Sequence, residues 1–135
     1  MALTLDGTTG LTATSVIANS SSGIGYTTGS GGSVTQGTSK STTITLNSLS
    51  GQIVLNGAAL ASNTTVGFTL NNSYITSTDN IIVTNYGGNG GSPNYLVWVY
   101  IVQSGSCLIA IRNISGGSLS ESVVINFAVI KGASS

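Results

Sequence analysis

The chain has 135 residues of which only six are charged, three cationic and three anionic, with no histidine, so charged residues make up 4% of it against about 25% in an average soluble domain. That shortage excludes nucleic-acid binding through phosphate contacts, which three cations cannot supply, and most acid–base catalysis, which needs a titratable group beside its nucleophile. It also leaves a free monomer without the net charge of about 2 to 8 units that keeps a small domain dispersed, so a surface of Ser, Thr, Asn and Gly is expected to rest against copies of itself or against a partner.

Residues 1 to 30 come first and read as an extended N-terminal arm. Met1 to Asp6 has neither the basic start nor the apolar stretch of a secretory leader, and no run approaches the about 18 apolar residues of a spanning helix. The mature chain is therefore expected to begin at or near Met1, to be made in a cytoplasm and to have no membrane partner. Gly, Ser and Thr dominate the arm, and apolar side chains occur in small groups, Leu3 and Leu5, Leu11, then Val16 and Ile17. Such a composition does not offset an ordering cost of about 1 to 2 kcal/mol per residue unless it lies along a neighbouring chain. Those five residues are the candidate docking arm.

Residues 31 to 135 form the second unit, a single domain in which the hydrophobic period is two rather than 3.6. In Thr43 to Asn47, Ile44 and Leu46 alternate with polar residues, and in Thr65 to Leu70 the inward set is Val66, Phe68 and Leu70. Turn residues such as Ser50-Gly51, Asn56-Gly57, Ser104-Gly105 and Gly116-Gly117 divide the chain at short intervals. Eight strands are predicted, near Gly32 to Gln36, Thr42 to Asn47, Gln52 to Asn56, Thr65 to Leu70, Asn80 to Tyr86, Tyr95 to Gln103, Cys107 to Asn113 and Glu121 to Lys131. The expected fold is all-β, a single antiparallel two-sheet sandwich with a jelly-roll-like layout. An immunoglobulin-like sandwich is the alternative, and it lacks the Cys pair that would mark it. Tyr95 to Val102 and Val123 to Ile130 are apolar on both faces, so each is expected to be covered twice, by the facing sheet and by another subunit.

Few residues carry chemistry. Gly23-Ile24-Gly25 and Gly29 to Gly32 have no following helix to present to a phosphate. Ser39 and Lys40 are adjacent and in a strand point to opposite faces, which leaves no nucleophile beside a base. Asp79 with Asn80 offers one carboxylate, too few for calcium, and reads as a turn cap. Catalytic residues, a metal and a cofactor are not predicted. Single Cys107 excludes an internal disulfide and, in an apolar run, reads as a buried inert thiol. Asn19, Asn63, Asn71 and Asn113 fit the glycosylation pattern at the frequency chance gives so Asn-, Ser- and Thr-rich a chain. Arg112 and Glu121 flank the 113–120 connection and are expected as a rim ion pair worth about 0 to 1 kcal/mol. Tyr26, Tyr74, Tyr86, Tyr95, Tyr100 and Trp98 are candidates for a sugar-stacking groove, although Trp98 inside an apolar strand reads first as core. The candidate oligomer contact is Tyr95, Val97, Val99, Arg112 and Glu121, in a homo-oligomer that is a trimer in preference to a dimer.

The run from Gly25-Tyr26-Thr27-Thr28-Gly29 through Val34-Thr35-Gln36-Gly37-Thr38-Ser39-Lys40-Ser41-Thr42 resembles a module of tailed-bacteriophage virion proteins. The resemblance continues through Ser50-Gly51-Gln52-Ile53, Ala58-Ala59-Leu60, Phe68 to Ser73, Arg112-Asn113, Gly117-Ser118-Leu119-Ser120-Glu121 and Asn126 to Lys131, and so covers residues 25 to 131. It implies a non-enzymatic virion β domain, in some proteins a capsid decoration or cement subunit and in others a part near the end of a fibre. Leu3-Thr4-Leu5-Asp6-Gly7-Thr8-Thr9-Gly10 is similar to the Gly/Thr pieces of phage fibres. Two functions are thus expected to compete. One is a cement protein on the outer surface of the phage head, bound to the major capsid protein and assembled in the host cytoplasm. The other is a fibre or spike tip module that binds a host surface glycan. A fibre tip normally shares its chain with a long shaft, for which 135 residues leave no room, and this favours cement.

Overall fold

Alternation of buried and exposed side chains produces eight strands: β1 (Gly31–Thr35), β2 (Ile44–Thr45), β3 (Ser50–Val54), β4 (Thr65–Asn71), β5 (Asn80–Tyr86), β6 (Tyr95–Gln103), β7 (Ser106–Asn113) and β8 (Val124–Ile130). The computed structural model describes residues 24–27, 29–86 and 93–133, and contains no helix there. The candidate arm residues Leu3, Leu5, Leu11, Val16 and Ile17 lie outside the described residues.

Two four-stranded sheets form a β-sandwich. The first has the order β1-β3-β8-β5 and the second β2-β4-β7-β6. β3 with β8, β5 with β8, β4 with β7 and β6 with β7 pair antiparallel, as the sequence leads one to expect. At one edge of each sheet the pairing is instead parallel, β1 with β3 and β2 with β4. The reason lies in the path of the chain. From β1 to β6 each strand crosses to the facing sheet, so β3 returns beside β1 only after β2 has run on the other side. The strand of the opposite sheet thus serves as the crossover that a parallel pair requires. Only the β6–β7 connection is a tight hairpin, Gln103 facing Ser106 across Ser104-Gly105. Gly105 takes φ +82 there, a conformation that costs a side-chain-bearing residue strain.

The core lies between the sheets. Ile53, Ile125, Phe127 and Val129 enter from the first, and Phe68, Leu70, Ile109 and Ile111 from the second, each at every second position of its strand, as the pleat demands. Cys107 is buried among them. The β6 residues Tyr95, Val97 and Val99 also point inward, Tyr95 with 4% of its surface exposed and the two valines packed on the core. They are therefore core-side residues rather than an oligomer contact. The alternate β6 residues Leu96, Trp98 and Tyr100, and Ile101 beyond them, are exposed. Trp98, expected in the core, is 37% exposed on the outer face. Parity decides this: Tyr95 enters the core, so Trp98, three positions on, must leave it. The second covering expected for Tyr95 to Val102 is thus not found within the described chain. On β8 the outward residues Val124, Asn126 and Ala128 are half-buried and Ile130 is exposed.

Buried amides pin several of the loop ends. Asn113 donates from Nδ2 to the Leu60 and Gly117 carbonyls (2.9 and 2.7 Å) and accepts from Ser115. Asn72 donates to the Ser48 carbonyl at 2.7 Å and accepts from the Tyr74 amide. Gln36 donates to the Lys40 and Thr42 carbonyls and accepts from the Asn56 amide. A neutral amide satisfies buried backbone groups without the cost of burying an ion, which is how so uncharged a chain fixes its long connections.

Candidate functional site

The outer face of the second sheet is where the fold places side chains it does not use internally. In register across it lie Trp98 on β6, Ala110 on β7 and Gly67 on β4. The two small residues form a floor, and Trp98, Tyr100 and Thr65 surround a shallow depression above it. Tyr100 reaches that floor because the β6–β7 register shifts between Val99 and Ile101, leaving Tyr100 without a ladder partner. A bulge of this kind redirects a side chain. Its ring extends over Gly67, where an added Cβ would stand 2.9 Å from the Tyr100 hydroxyl. Glycine at 67 lets the Tyr100 ring lie low on the sheet, and a side chain there would push that ring outward. Leu96 and Ile101 extend the apolar strip along β6.

The charges divide sharply by whether they have partners. Asp79 accepts from Lys131 Nζ at 2.6 Å, from the Thr76 amide and from the Gly132 amide. The Lys131 bond, the largest influence, holds its carboxyl well below the ordinary value of 3.8. This carboxylate is a turn cap and a tie to the C-terminal segment, with no ligand position open. Lys40 is buried, donating to the Asn56 and Glu121 carbonyls at 2.6 and 2.8 Å. Burial lowers its pKa, and the nearby Glu121 charge partly opposes that. Lys40 therefore has no role beside Ser39, whose hydroxyl turns instead to Ser41 and Thr42. Glu121 accepts from the Tyr95 hydroxyl at 2.8 Å. Bonds from its own backbone N–H and from Tyr95 hold its carboxyl low, while burial and then the Glu121 bond push the Tyr95 phenol up.

Arg112 is left over. The expected Arg112–Glu121 pair does not form, because Glu121 turns inward to Tyr95 while Arg112 stands on the outer face of β7, between Thr65 and Leu96 in register. Among the described residues Arg112 has no ion-pair, hydrogen-bond or ring partner. It is one register step from the Trp98–Ala110–Gly67 row. Sequence reasoning named Trp98, Tyr100 and Arg112 but did not bring them together. The inward placement of Tyr95 fixes Trp98 outward, but a run apolar at every position carries no signal of that parity.

Of the remaining aromatics, Tyr26 donates its hydroxyl to the Val129 carbonyl, and with Ile24, Ala128 and Ile130 borders a second depression on the first sheet. Tyr74 and Tyr86 are exposed elsewhere, so the six aromatics do not share one groove. Among the described residues no three His, Cys, Asp or Glu side chains gather as a metal site, and no helix is long and apolar enough to cross a membrane. No family model, curated protein or solved structure matches the chain.

Proposed function

We propose that this chain is a non-enzymatic structural subunit of a tailed-bacteriophage virion, a decoration or cement protein on the outer surface of the head that stabilises the shell. In this reading it binds the major capsid protein and itself, as a homo-oligomer and a trimer in preference to a dimer. The observation that carries it is the internal commitment of every described charge except Arg112 together with apolar side chains on both outer sheet faces. Ile82 and Ile130 on the first sheet and Leu96, Trp98, Tyr100 and Ile101 on the second are open to solvent, on a molecule of zero formal net charge. A surface of that kind is stable when covered. The resemblance over residues 25 to 131 supports the virion setting.

The first sheet is the side assigned to assembly. Ile24 and Tyr26 border a depression there with Ala128 and Ile130 of β8, so residues 24 to 26 lie against the sandwich at this face. A chain beginning near Gly25 is expected to keep its β circular dichroism and cooperative melting and to lose binding to capsids stripped of the protein. Undiminished decoration by the shortened chain would make the sandwich itself the docking element. Ile82→Asp with Ile130→Asp is expected to convert the oligomer to monomer in light scattering, and a wild type that is already monomeric at micromolar concentration would remove the self-association. Counting copies per virion separates the placements, hundreds for a cement protein against a few or tens for a fibre part.

A second reading, an adhesion module near the end of a fibre, is favoured by one observation, the open Trp98–Tyr100 strip on the second sheet. Aromatic rings at an exposed face stack on sugar rings. The same copy count decides between them.

A further inference from the structure

We infer that the outer face of the second sheet binds a carboxylate-bearing saccharide, a uronic-acid residue of a surface polysaccharide, with its ring on Trp98 and Tyr100 and its carboxylate on Arg112. This rests on the adhesive reading of that face and is independent of whether the chain sits on a head or a fibre.

Three features converge on that ligand. The depression is lined by Ala110 beside Trp98, with the Tyr100 ring seated over Gly67, so the small residues keep both aromatic side chains low on the sheet and leave their outer surfaces open to a ring. Rigid aromatic surfaces of this type lose little conformational freedom on binding, and the C–H face of a pyranose chair is the apolar surface that matches them. The rim is hydroxylic, with Thr65 and Thr69 outward on β4 flanking Gly67, which suits the equatorial hydroxyls of the same ring. The charge decides the class. Of the five charged side chains in the described region, Lys40, Asp79, Glu121 and Lys131 have internal partners, and Arg112 has none.

Arg112 also stands where a ring substituent would end. It is the diagonal neighbour of Trp98 on the same face, a separation of about 7 to 8 Å. In a uronic acid the carboxylate is equatorial at the ring edge, so a ring lying flat on the aromatics directs it along the sheet rather than away from it. A guanidinium meets a carboxylate with two parallel N–H···O bonds. No anionic side chain of the described residues lies on this face to compete, since Asp79 and Glu121 are engaged elsewhere. A neutral sugar would leave the Arg112 charge without a counter-charge, and the described residues of a second copy offer no free carboxylate to cover it.

Trp98 is the only tryptophan in the chain, so its fluorescence reports on the site directly. The experiment titrates the full-length protein with a tetramer of galacturonic acid and, separately, with a neutral galactose tetramer, following Trp98 emission and calorimetric heat. The acidic tetramer is expected to bind, to weaken with added salt, and to lose at least about tenfold in affinity in Arg112→Gln, the loss of a charge-assisted bond. Arg112→Lys should restore part of it. Gly67→Val, which pushes the Tyr100 ring off its seat, should weaken binding of the acidic tetramer. The melting temperature of Arg112→Gln is expected to equal that of the wild type, which separates recognition from folding. Equal binding of both tetramers with no effect of Arg112→Gln overturns the acidic ligand and leaves the adhesive reading standing. Binding of neither overturns both, and a wild-type dimer that Trp98→Ser dissociates shows that a second copy occupies the face instead.

Discussion

β6 and β8 are the two strands whose sequences are apolar on both faces, and the fold uses them in opposite ways. β8 is interior to its sheet, paired by β3 on one side and β5 on the other, and Ile125, Phe127 and Val129 fill the core while most of its outward residues are half-buried. β6 is an edge strand paired only with β7. Of its inward residues Tyr95 is buried and Val97, Val99 and Val102 are partly buried against the core, while Leu96, Trp98, Tyr100 and Ile101 face solvent. Double-sided hydrophobicity thus goes with burial or half-burial in the central strand β8 and with an exposed outer face in the edge strand β6. Sequence composition does not separate the cases, because strand order is a property of the whole chain.

The largest effect that tests this difference is a pair of truncations. Phe127→Ala on β8 removes a buried ring and is expected to cost about 3 to 5 kcal/mol. Trp98→Ala on β6 removes a larger ring that is partly hydrated already, and is expected to cost about 1 to 2 kcal/mol. Denaturant midpoints for the two variants measure the contrast directly. Equal losses would mean that the outer face of β6 contributes to stability as a core does.

If recognition occupies the outside of β6, stability must come from the interior and from the pins at the strand ends. Asn113→Ala deletes two donors to the Leu60 and Gly117 carbonyls and the acceptor for Ser115. Leaving buried backbone groups without partners is expected to cost about 2 to 3 kcal/mol, again read from denaturant unfolding. A loss below that of Trp98→Ala would show that the connection from β7 to β8 is held by packing alone.

Much of this was legible before any coordinates. The eight strands match the predicted ones closely in position, because a period of two between Gly- and Asn-rich turns is a local signal, and Phe68, Leu70 and Ile44 fall inward where alternation puts them. Three things were not legible. The parallel edge pairs depend on the crossing order of strands in space. The outward turn of Trp98 depends on which parity of β6 faces the second sheet, and a run apolar at every position hides it. The failure of Arg112 to meet Glu121 depends on Tyr95, whose hydroxyl takes the carboxylate inside, and the two partners are far apart in sequence.

A smaller effect follows from Asp79, which ties the 76–79 turn to the strand end of β8 through Lys131 and Gly132. Gly132 is held so close that an added Cβ would lie 1.8 Å from the Thr78 carbonyl oxygen, so a side chain does not fit at this corner. The Asp79 pKa is depressed in the folded state, which means the unfolded chain binds the proton more readily. Its contribution to stability is full above the ordinary value of 3.8 and is lost as pH falls below it. Glu121 acts with the same sign below 4.5. Thermal unfolding followed from pH 6 to pH 2 is expected to show a decline beginning near those values, and Asp79→Asn should remove part of that decline while leaving the β6 face unaltered. A decline of the same size in Asp79→Asn would assign the acid sensitivity to Glu121.

The smallest effect belongs to Cys107, which lies inward on β7 between Leu70 of β4 and Val102 of β6. Burial pushes its thiol up to about 11 from an ordinary 9.0. The folded state thus keeps the proton where the unfolded chain gives it up, so this contribution is complete below 9.0 and is lost as pH rises toward 11. At pH 8 the thiol is protonated and covered, and thiolate is the reactive form. A disulfide-exchange reagent is therefore expected to label Cys107 no faster than the protein opens, and Cys107→Ala should cost only about 1 kcal/mol for the small cavity it leaves. Rapid labelling under native conditions would carry more information than the substitution. It would mean that the edge strand β6 peels from β7, breaking its one ladder, and uncovers Cys107 while the rest stays folded, so that the exposed side of β6 is matched by a loosely held inner side. In that case the contrast with β8 would be one of local stability as well as of covering, since an interior strand flanked by two partners cannot open without breaking both ladders.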